Sequence, residues 1–287
     1  MRLTDRRFAA LMMAPAAAFL LAFVAWPLLR FVMNGFYDIS PVAGGPREFV
    51  GLDNFTRALA STSFQGASWR TALYTLIVVG LEFTIGLGVA LLFAALGERS
   101  AVFRTIFMYP LMIAPVVAGL LWRFLLIDNF GIVDELLGID VGWLSDPGIA
   151  LYSVALPDIW LTASFVTLVL FAGLQNLPGE VIEAARLDGA RFTTLILRIV
   201  IPLLRPVIAV ALIVRGIDAA RAFDVIVIQT NGGPQESTTT LSLLVYRTMT
   251  RYGDIGLASA MGTIYLLAML LVATVAILSI WRPGAEA

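Results

Sequence analysis

The sequence predicts an all-α membrane protein with six transmembrane helices, both termini in the cytoplasm, and a polar cytoplasmic helix between spans 4 and 5. Hydrophobic residues make up 60% of the 287 residues and charged residues 14%, with a mean hydropathy of +0.91. That composition is far from the balance of a soluble domain. Six stretches are apolar enough to cross a bilayer, and arginines are shared unevenly between the segments that join them.

Each predicted span has about 20 mostly apolar residues, the length needed to cross roughly 30 Å of hydrocarbon. The six spans are 8–29, 69–96, 104–127, 149–174, 199–228 and 255–281. The first resembles a cleavable signal sequence, because arginines precede it and it contains Ala14-Pro15-Ala16. Its apolar run continues well past that small-residue site, so we interpret it as a retained helix.

The orientation follows from the arginines near the span ends, since cytoplasmic loops carry an excess of positive charge. With the amino terminus inside, the cytoplasmic segments hold Arg2, Arg6, Arg7, Arg99, Arg104, Arg186, Arg191, Arg198 and Arg282. The opposite side holds Arg47, Arg57, Arg70, Arg247 and Arg251. The first group is larger, so both termini are expected in the cytoplasm.

Missing residue types exclude several kinds of chemistry. The chain has no cysteine and no histidine, and all 19 of its basic residues are arginine. A Walker A phosphate loop needs a lysine, so any ATP, with its Mg²⁺, is expected on a partner chain. We expect no catalytic residue, no metal site and no bound cofactor on this chain. The net charge of −1 gives no support for nucleic-acid binding.

The segments outside the spans are short. Residues 36–68 and 229–254 are expected to face outward, and residues 175–198 inward. None is long enough for an independent soluble domain, so residues 1–287 are interpreted as one membrane domain.

The inward segment, residues 178–198, interrupts the apolar pattern. Pro178 suits the start of a helix, where its missing N–H costs nothing, and a short helix is predicted over 180–187. Gly189 permits a turn that a residue with a side chain would resist. A second helical piece over 191–200 is predicted to lead to a kink at Pro202. From the residues alone, this segment is either an amphipathic surface helix or a docking element.

The pattern E-A-A-x-x-D-G-A at residues 183–190, followed by Ile199-Val200-Ile201-Pro202, is similar to the coupling motif of permease subunits from binding-protein-dependent ABC importers. In that family the helix docks into a cleft of the cytoplasmic ATPase. The resemblance implies that the coupling residues are Glu183, Ala184, Ala185, Asp188 and Gly189. Ile201 stands where leucine usually precedes the proline.

Weaker similarities to the sugar-importing branch, of the maltose and glycerol-phosphate permease type, extend along nearly the whole chain. They lie at 51–55, 103–105, 143–147, 223–226, 230–234, 240–243 and 246–248. The resemblance implies a second permease subunit, two ATPase subunits, an extracytoplasmic solute-binding protein and a sugar substrate. It also implies a multi-pass protein among the lipids of a bacterial or archaeal plasma (inner) membrane.

Ionisable residues inside the spans should face protein or water, because a charge at the bilayer centre costs at least about 2.5 kcal/mol. Glu82 lies mid-way along the second span, and Gly86, Ala90 and Ala94 follow at intervals of four. Small residues on one helical face favour close packing. Glu82 is therefore predicted to point into the bundle, with a structural role favoured over contact with substrate.

Two further groups of polar residues are candidates for the substrate path. One face of the fourth span carries Asp158, Thr162 and Phe165. A carboxylate, a hydroxyl and an aromatic ring together are suited to binding a sugar. An equally favoured alternative is that these polar side chains form hydrogen bonds between helices. Arg215, Asp218, Arg221 and Asp224 alternate in sign at intervals of three in the fifth span. Such neighbours can neutralise one another, which lowers the cost of burying them. These residues are predicted either to line the substrate path or to form a purely structural series of salt bridges.

The leading hypothesis is a subunit that forms half of the path of an ATP-driven importer for a neutral di- or oligosaccharide. A phosphorylated or otherwise polar solute, such as a glycerol-phosphate compound, is the alternative. A membrane-embedded aspartyl hydrolase using Asp158 and Asp218 lacks any supporting motif. A stand-alone secondary transporter lacks the inverted repeat typical of that class.

Overall fold

The computed structural model describes residues 5–39, 47–128 and 130–280, which are mostly helical. The α-helices, in chain order, are α1 Asp5–Leu20, α2 Trp26–Asn34, α3 Asp53–Ala60, α4 Thr62–Leu96, α5 Ala101–Met108, α6 Pro115–Leu125, α7 Ile132–Leu137, α8 Ala150–Ser153, α9 Leu156–Gln175, α10 Gly179–Leu187, α11 Phe192–Leu195, α12 Ile201–Leu203, α13 Arg205–Ala220, α14 Asp224–Gln229, α15 Leu241–Thr250 and α16 Ile255–Ile280. Two short strands, β1 Tyr37–Asp38 and β2 Glu48–Phe49, pair antiparallel.

Single π-helical or 3₁₀ turns continue several of these helices. Leu21–Ala25 and Ile196–Val200 are π turns, and Gly97–Ser100 and Tyr109–Met112 are 3₁₀ turns. The chain groups into two compact units, one formed by Met1–Gln65 with Leu244–Leu267 and the other by Gly66–Leu243 with Ala268–Ala287.

The first unit is organised around the buried side chain of Asn54. Its amide donates hydrogen bonds to the carbonyls of Gly35, at 3.1 Å, and Tyr37, at 2.9 Å. It thereby ties the start of α3 to the end of α2 and to the hairpin. Gly51, just before α3, has a φ of +59°, which glycine adopts without strain. These contacts give a structural reason for the Gly-x-x-Asn pattern at residues 51–54.

The second unit contains the packing face predicted on α4. Residues at helical spacing point inward, and Val78, Glu82 and Ala90 are all fully buried. A Cβ at Gly86 would lie only 2.8 Å from Cγ1 of Val166, so the absence of a side chain brings α4 and α9 together. The prediction is confirmed for Glu82, Gly86 and Ala90, whereas Ala94 is exposed on this chain.

The third predicted span, 104–127, is wrong as a continuous helix. The chain leaves helical geometry at Ile113 and Ala114, which are extended, and a new helix, α6, begins at Pro115. The residue before a proline is disfavoured in the α region, which favours a break at this position. Helix α6 is only 11 residues long.

The fifth predicted span, 199–228, is also interrupted. The chain bends by 73° between Phe192–Leu203 and Arg205–Ala220, so the bend lies beside Pro206 and two residues beyond the predicted kink at Pro202. Pro206 has no N–H to donate to the carbonyl four residues earlier. On α9, a Cβ at Gly173 would lie 3.0 Å from Leu204 Cδ2, so the bend packs closely against that helix.

Within the described residues, four helical stretches are long and apolar enough to cross a membrane, or five if the bent pair counts as one span. The four are Phe8–Asn34, Thr62–Met112, Ala150–Gln175 and Ile255–Ser279. Predicted spans 1, 2, 4 and 6 are thus apolar helices. The count of six and the sidedness of the termini stay predictions.

Candidate functional site

A buried ion pair between α4 and α13 is the centre of the polar cluster in the second unit. Arg215 donates from Nε to Glu82 Oε2 and from Nη2 to Glu82 Oε1, each at 2.8 Å. The side chains of both residues are almost completely buried, at 3% and 0% exposure. This bidentate geometry fixes the plane of the guanidinium. The prediction that Glu82 points into the bundle is confirmed, and its partner is on the neighbouring helix α13.

Helix α9 joins the same cluster through Asp158. Its Oδ1 accepts from Arg215 Nη2 at 3.2 Å, and its Oδ2 accepts from the hydroxyl of Tyr74 at 3.1 Å. The Thr162 hydroxyl lies within hydrogen-bonding distance of both Glu82 and the Asp158 carbonyl. A hydroxyl carries one hydrogen, so it donates to one of them at a time. Three helices are therefore held together by charged and polar groups.

The end of α13 carries the exposed part of the cluster. Arg215 Nη1 also donates to Asp218 Oδ2, and Arg221 Nη2 donates to Asp218 Oδ1 at 3.3 Å. These are two of the three predicted i, i+3 pairs. Among the described residues Arg221 and Asp224 form no ion pair with each other, because α13 ends at Ala220 and Asp224 begins α14. Asp218 and Arg221 are 56% and 61% exposed, so the buried end of the network leads to an exposed acid and base.

A pocket of about 330 Å³ opens beside this cluster. It is lined by Pro115, Asp158, Leu161, Thr162, Asp218, Arg221, Ala222, Phe223, Asp224 and Val225. The structure thus brings Asp158, Thr162, Asp218 and Arg221 together around one cavity. Carboxylates accept hydrogen bonds and a guanidinium donates them, so this lining could bind a solute rich in hydroxyls.

Two predicted path residues lie elsewhere. Arg215 is behind the lining rather than part of it. Phe165 is partly buried against the core that contains Phe93, Val166 and Phe171, and it does not line the pocket. The structure therefore offers no stacking ring at the position expected for Phe165.

Sequence reasoning missed the part played by Tyr74. It is fully buried and lies two turns before Glu82 on the same face of α4. The spacing of four residues through Val78 was a signal that could have grouped them. Asp158 and Asp218 are each bonded to Arg215, which is unlike the pair of facing carboxylates in an aspartyl hydrolase.

The predicted coupling segment has a different character. Helix α10, Gly179–Leu187, begins one residue before the predicted start and ends where predicted. Glu183, Ala184, Asp188 and Gly189 are exposed, whereas Ala185 is buried. Ala185 belongs to a core with Leu195, Val200 and Leu204. That core joins the segment to the bend before α13.

The turn after α10 depends on Gly189. Its φ is +77°, in the left-handed region that favours glycine, and the N–H of Ala190 donates to the Ala185 carbonyl at 3.0 Å. The predicted turn is confirmed. It reverses the chain so that α11 can start at Phe192.

Exposed apolar side chains flank the predicted coupling residues. Leu187 is 88% exposed and Phe192 70% exposed. Exposed apolar groups rimmed by charged residues often mark an interaction surface. The sequence predicts a short helix over 180–187, but only the structure shows that Leu187 points away from the core.

Comparison with known proteins gives a consistent family. The profile described as binding-protein-dependent transport system inner membrane component matches residues 3–280. The chain is 35% identical to a sulfoquinovosyl glycerol transport system permease protein of Agrobacterium fabrum over 266 residues, covering 91% of this chain and 86% of that protein. It is 34% identical to a trehalose/maltose transport system permease protein of Thermococcus litoralis over 255 residues, covering 87% and 85%.

A solved structure shares the fold. A chain from the bacterial alginate ABC transporter in complex with alginate pentasaccharide-bound periplasmic protein aligns with a TM-score of 0.80 at 22% identity. The alignment covers 94% of this chain and 92% of that one. Members of the matched family are multi-pass transport permeases of the inner membrane and not enzymes. This chain belongs to the family of binding-protein-dependent transport system inner membrane components.

Proposed function

We propose that this chain forms half of the translocation path of an ATP-driven importer for a neutral di- or oligosaccharide. Its relatives include permeases named for trehalose and maltose, and its own pocket offers carboxylates and an arginine to hydroxyl groups. A second permease subunit supplies the other half of the path. An extracytoplasmic solute-binding protein delivers the sugar, as the alginate complex contains such a protein.

The observation that carries the proposal is the exposure of α10 on top of a buried core. Glu183 makes no ion pair within the described part of the chain, and Leu187 has no core to enter. An ATPase cleft lined with basic and apolar groups would satisfy both. ATP and Mg²⁺ are held by two such ATPase subunits, since this chain has no lysine for a phosphate loop.

The buried core that contains Ala185 connects α10 mechanically to the bend before α13. Closure of the ATPases displaces α10, and Ala185 passes that displacement to Leu195 and Leu204 in the same core. Leu204 lies at the bend that begins α13, the helix of Arg215 and Asp218. Rigid-body shifts of this kind switch a path between inward-open and outward-open states.

We also propose one membrane domain, 1–287, with six spans and both termini in the cytoplasm of a bacterium or archaeon. The interrupted third and fifth spans fit this topology when α6 and α14 complete them. Backbone groups freed at such breaks are tolerated where they are buried in protein or line a cavity, and both helices contribute to the pocket lining.

The test is ATP-dependent uptake of trehalose and maltose into vesicles that contain the complex with its partner subunits. Glu183→Ala removes the unpaired acid, and Gly189→Val forces a branched residue into a left-handed backbone. We expect each to reduce uptake by at least about tenfold, Glu183→Ala through the loss of roughly one charge-assisted bond and Gly189→Val through distortion of the turn. Membrane insertion should stay normal.

The matched control is Glu135→Ala, which removes an exposed glutamate from α7. It should leave uptake unchanged. Normal uptake in both coupling variants would refute the role of α10, and uptake independent of ATP would refute the importer.

A further inference from the structure

The pocket beside the Arg215 cluster has an uneven charge. Its lining contains three aspartates, Asp158, Asp218 and Asp224, but only one arginine, Arg221. The second arginine of the cluster, Arg215, is 3% exposed and does not line the pocket. The charge that a solute meets therefore depends on how Arg215 is neutralised.

Glu82 neutralises Arg215 from outside the lining. It is fully buried and accepts two hydrogen bonds from Nε and Nη2, both at 2.8 Å. Without Glu82, the positive charge of Arg215 would act on Asp158 and Asp218, which it also contacts. With Glu82 in place, Arg215 still orients these two carboxylates but contributes little net charge at the pocket surface.

We propose that Glu82 is a specificity-determining residue that strengthens the negative charge of the pocket. By neutralising Arg215 it makes this chain's share of the path suitable for neutral solutes rich in hydroxyls and unfavourable for phosphorylated or sulfonated ones. The inference rests on the proposed function, because it takes the pocket as part of the solute path. Clefts lined by one sign of charge concentrate the opposite charge and exclude their own, so anionic solutes are disfavoured.

The natural absence of cysteine permits a direct measurement. Ala222 lines the pocket, so Ala222→Cys places the single thiol of this chain there. The complex, in lipid nanodiscs, is treated with either the cationic trimethylammonium-ethyl or the anionic sulfonatoethyl methanethiosulfonate. Intact-mass spectrometry of this chain gives each rate without interference from thiols of partner subunits. The ratio of rates, relative to that for free 2-mercaptoethanol, reports the local potential.

We expect the pocket thiol to favour the cationic reagent by about fivefold or more over the free thiol, because potentials in such clefts reach several kT. The matched control is Ala94→Cys in a second cavity, whose charged lining is one glutamate, Glu98, and one arginine, Arg104. Its ratio should stay near that of the free thiol.

Substitutions in the Ala222→Cys background test the role of Glu82. Glu82→Gln should lower the cationic preference clearly, because it removes one negative charge and leaves Arg215 unneutralised by Glu82, whereas Glu82→Gln with Arg215→Gln removes one charge of each sign and should keep it. Asp218→Asn, at a position that is 56% exposed, should lower the preference even if Glu82→Gln fails to assemble. A purely structural role for Glu82 would change assembly but not the ratio of rates.

Three results would overturn the inference: a wild-type pocket without cationic preference, an assembled Glu82→Gln variant with an unchanged ratio, or an unchanged ratio in Asp218→Asn. The reagents require neither solute nor ATP. Failure of the wild-type complex to import sugar would therefore refute the proposed function and leave this measurement intact.

Discussion

The Arg215 cluster and the α10 segment are both polar interruptions of an apolar chain. They differ in whether their charged side chains find partners within the chain. In the cluster, Arg215 is bonded to three carboxylates of its own chain, and Glu82 is fully buried. In α10, Glu183 and Leu187 are exposed and only Ala185 enters the core.

This difference separates two functions for charge in a membrane protein. A polar group that finds its partners within the chain contributes to the fold and to the shape of a cavity. A polar group that makes no ion pair within the described residues and lies beside exposed apolar side chains, as Glu183 does beside Leu187, is available to a partner. Substitutions should therefore affect folding at the cluster and assembly at α10.

The largest effect is expected from Arg215→Met. Removing one partner of a buried ion pair leaves an uncompensated charge, here that of Glu82, and costs about 3–5 kcal/mol. We expect a marked loss of thermal stability of the purified chain, measured by its unfolding in detergent.

A double substitution shows whether the stability lost in Arg215→Met comes from the unpaired charge of Glu82 or from lost packing. Glu82→Leu with Arg215→Met removes both charges and keeps similar volumes, a change that is often neutral for stability. It should recover the part of the stability that is lost in Arg215→Met through Glu82, whereas Asp158 still lacks its guanidinium partner. If Arg215→Met were as stable as the wild type, the Arg215 cluster would not contribute to folding, and the difference between the cluster and α10 would be contradicted.

An intermediate effect is expected from Leu187→Ser on α10. Leu187 is 88% exposed, so the stability of the chain should not change. Burial of a leucine in an interface contributes about 1.5–3 kcal/mol, so association with the ATPase should weaken by about 10- to 100-fold. Copurification and titration with the ATPase subunits measure this.

The control for this surface is Leu136→Ser, which alters another leucine that is 81% exposed, on α7. Association with the ATPase should be unaffected. Equal weakening by both substitutions would mean that exposed leucines act nonspecifically and that α10 is no distinct interface.

The smallest effect is expected from Tyr74→Phe, which removes the hydroxyl that donates to Asp158 at 3.1 Å. A single hydrogen bond contributes about 1 kcal/mol, and the ring itself is retained. Denaturant unfolding should detect the change, whereas Tyr152→Phe, at an exposed tyrosine, should show less. No difference between the two would place Tyr74 outside the cluster.

Helix positions were predictable where periodicity and length alone decide the structure. The buried face of α4 and the turn at Gly189 follow from local residue patterns. The break before Pro115 could not be predicted from its proline alone, because Pro15 lies inside α1 and does not end that helix. Whether a proline bends a membrane helix depends on which neighbouring groups satisfy the freed carbonyl, and sequence spacing does not contain that information.

In the candidate site, too, contacts within one helix could be predicted from the sequence, and contacts between helices could not. The pairing of Arg215 with Asp218 could be predicted, because residues three apart on a helix are neighbours. The bonds to Glu82 and Asp158 join residues 133 and 57 positions apart, and they depend on the rotation of α4 and α9 about their axes. Phe165 shares a helical face with Asp158 in the sequence pattern, but it is one turn too far along α9 to reach the pocket.

In the proposed mechanism the bend at Leu204 is the hinge about which α13 tilts. Arg215 lies ten residues beyond Arg205, so its distance from the hinge is about 15 Å, and a tilt of about 10° would displace it by about 2.6 Å. That displacement is as long as a hydrogen bond itself, and the bonds to Glu82 and Asp158 survive it only if α4 and α9 tilt together with α13. The three helices then move as one body, and bending is confined to the joint at Leu204, away from the pocket.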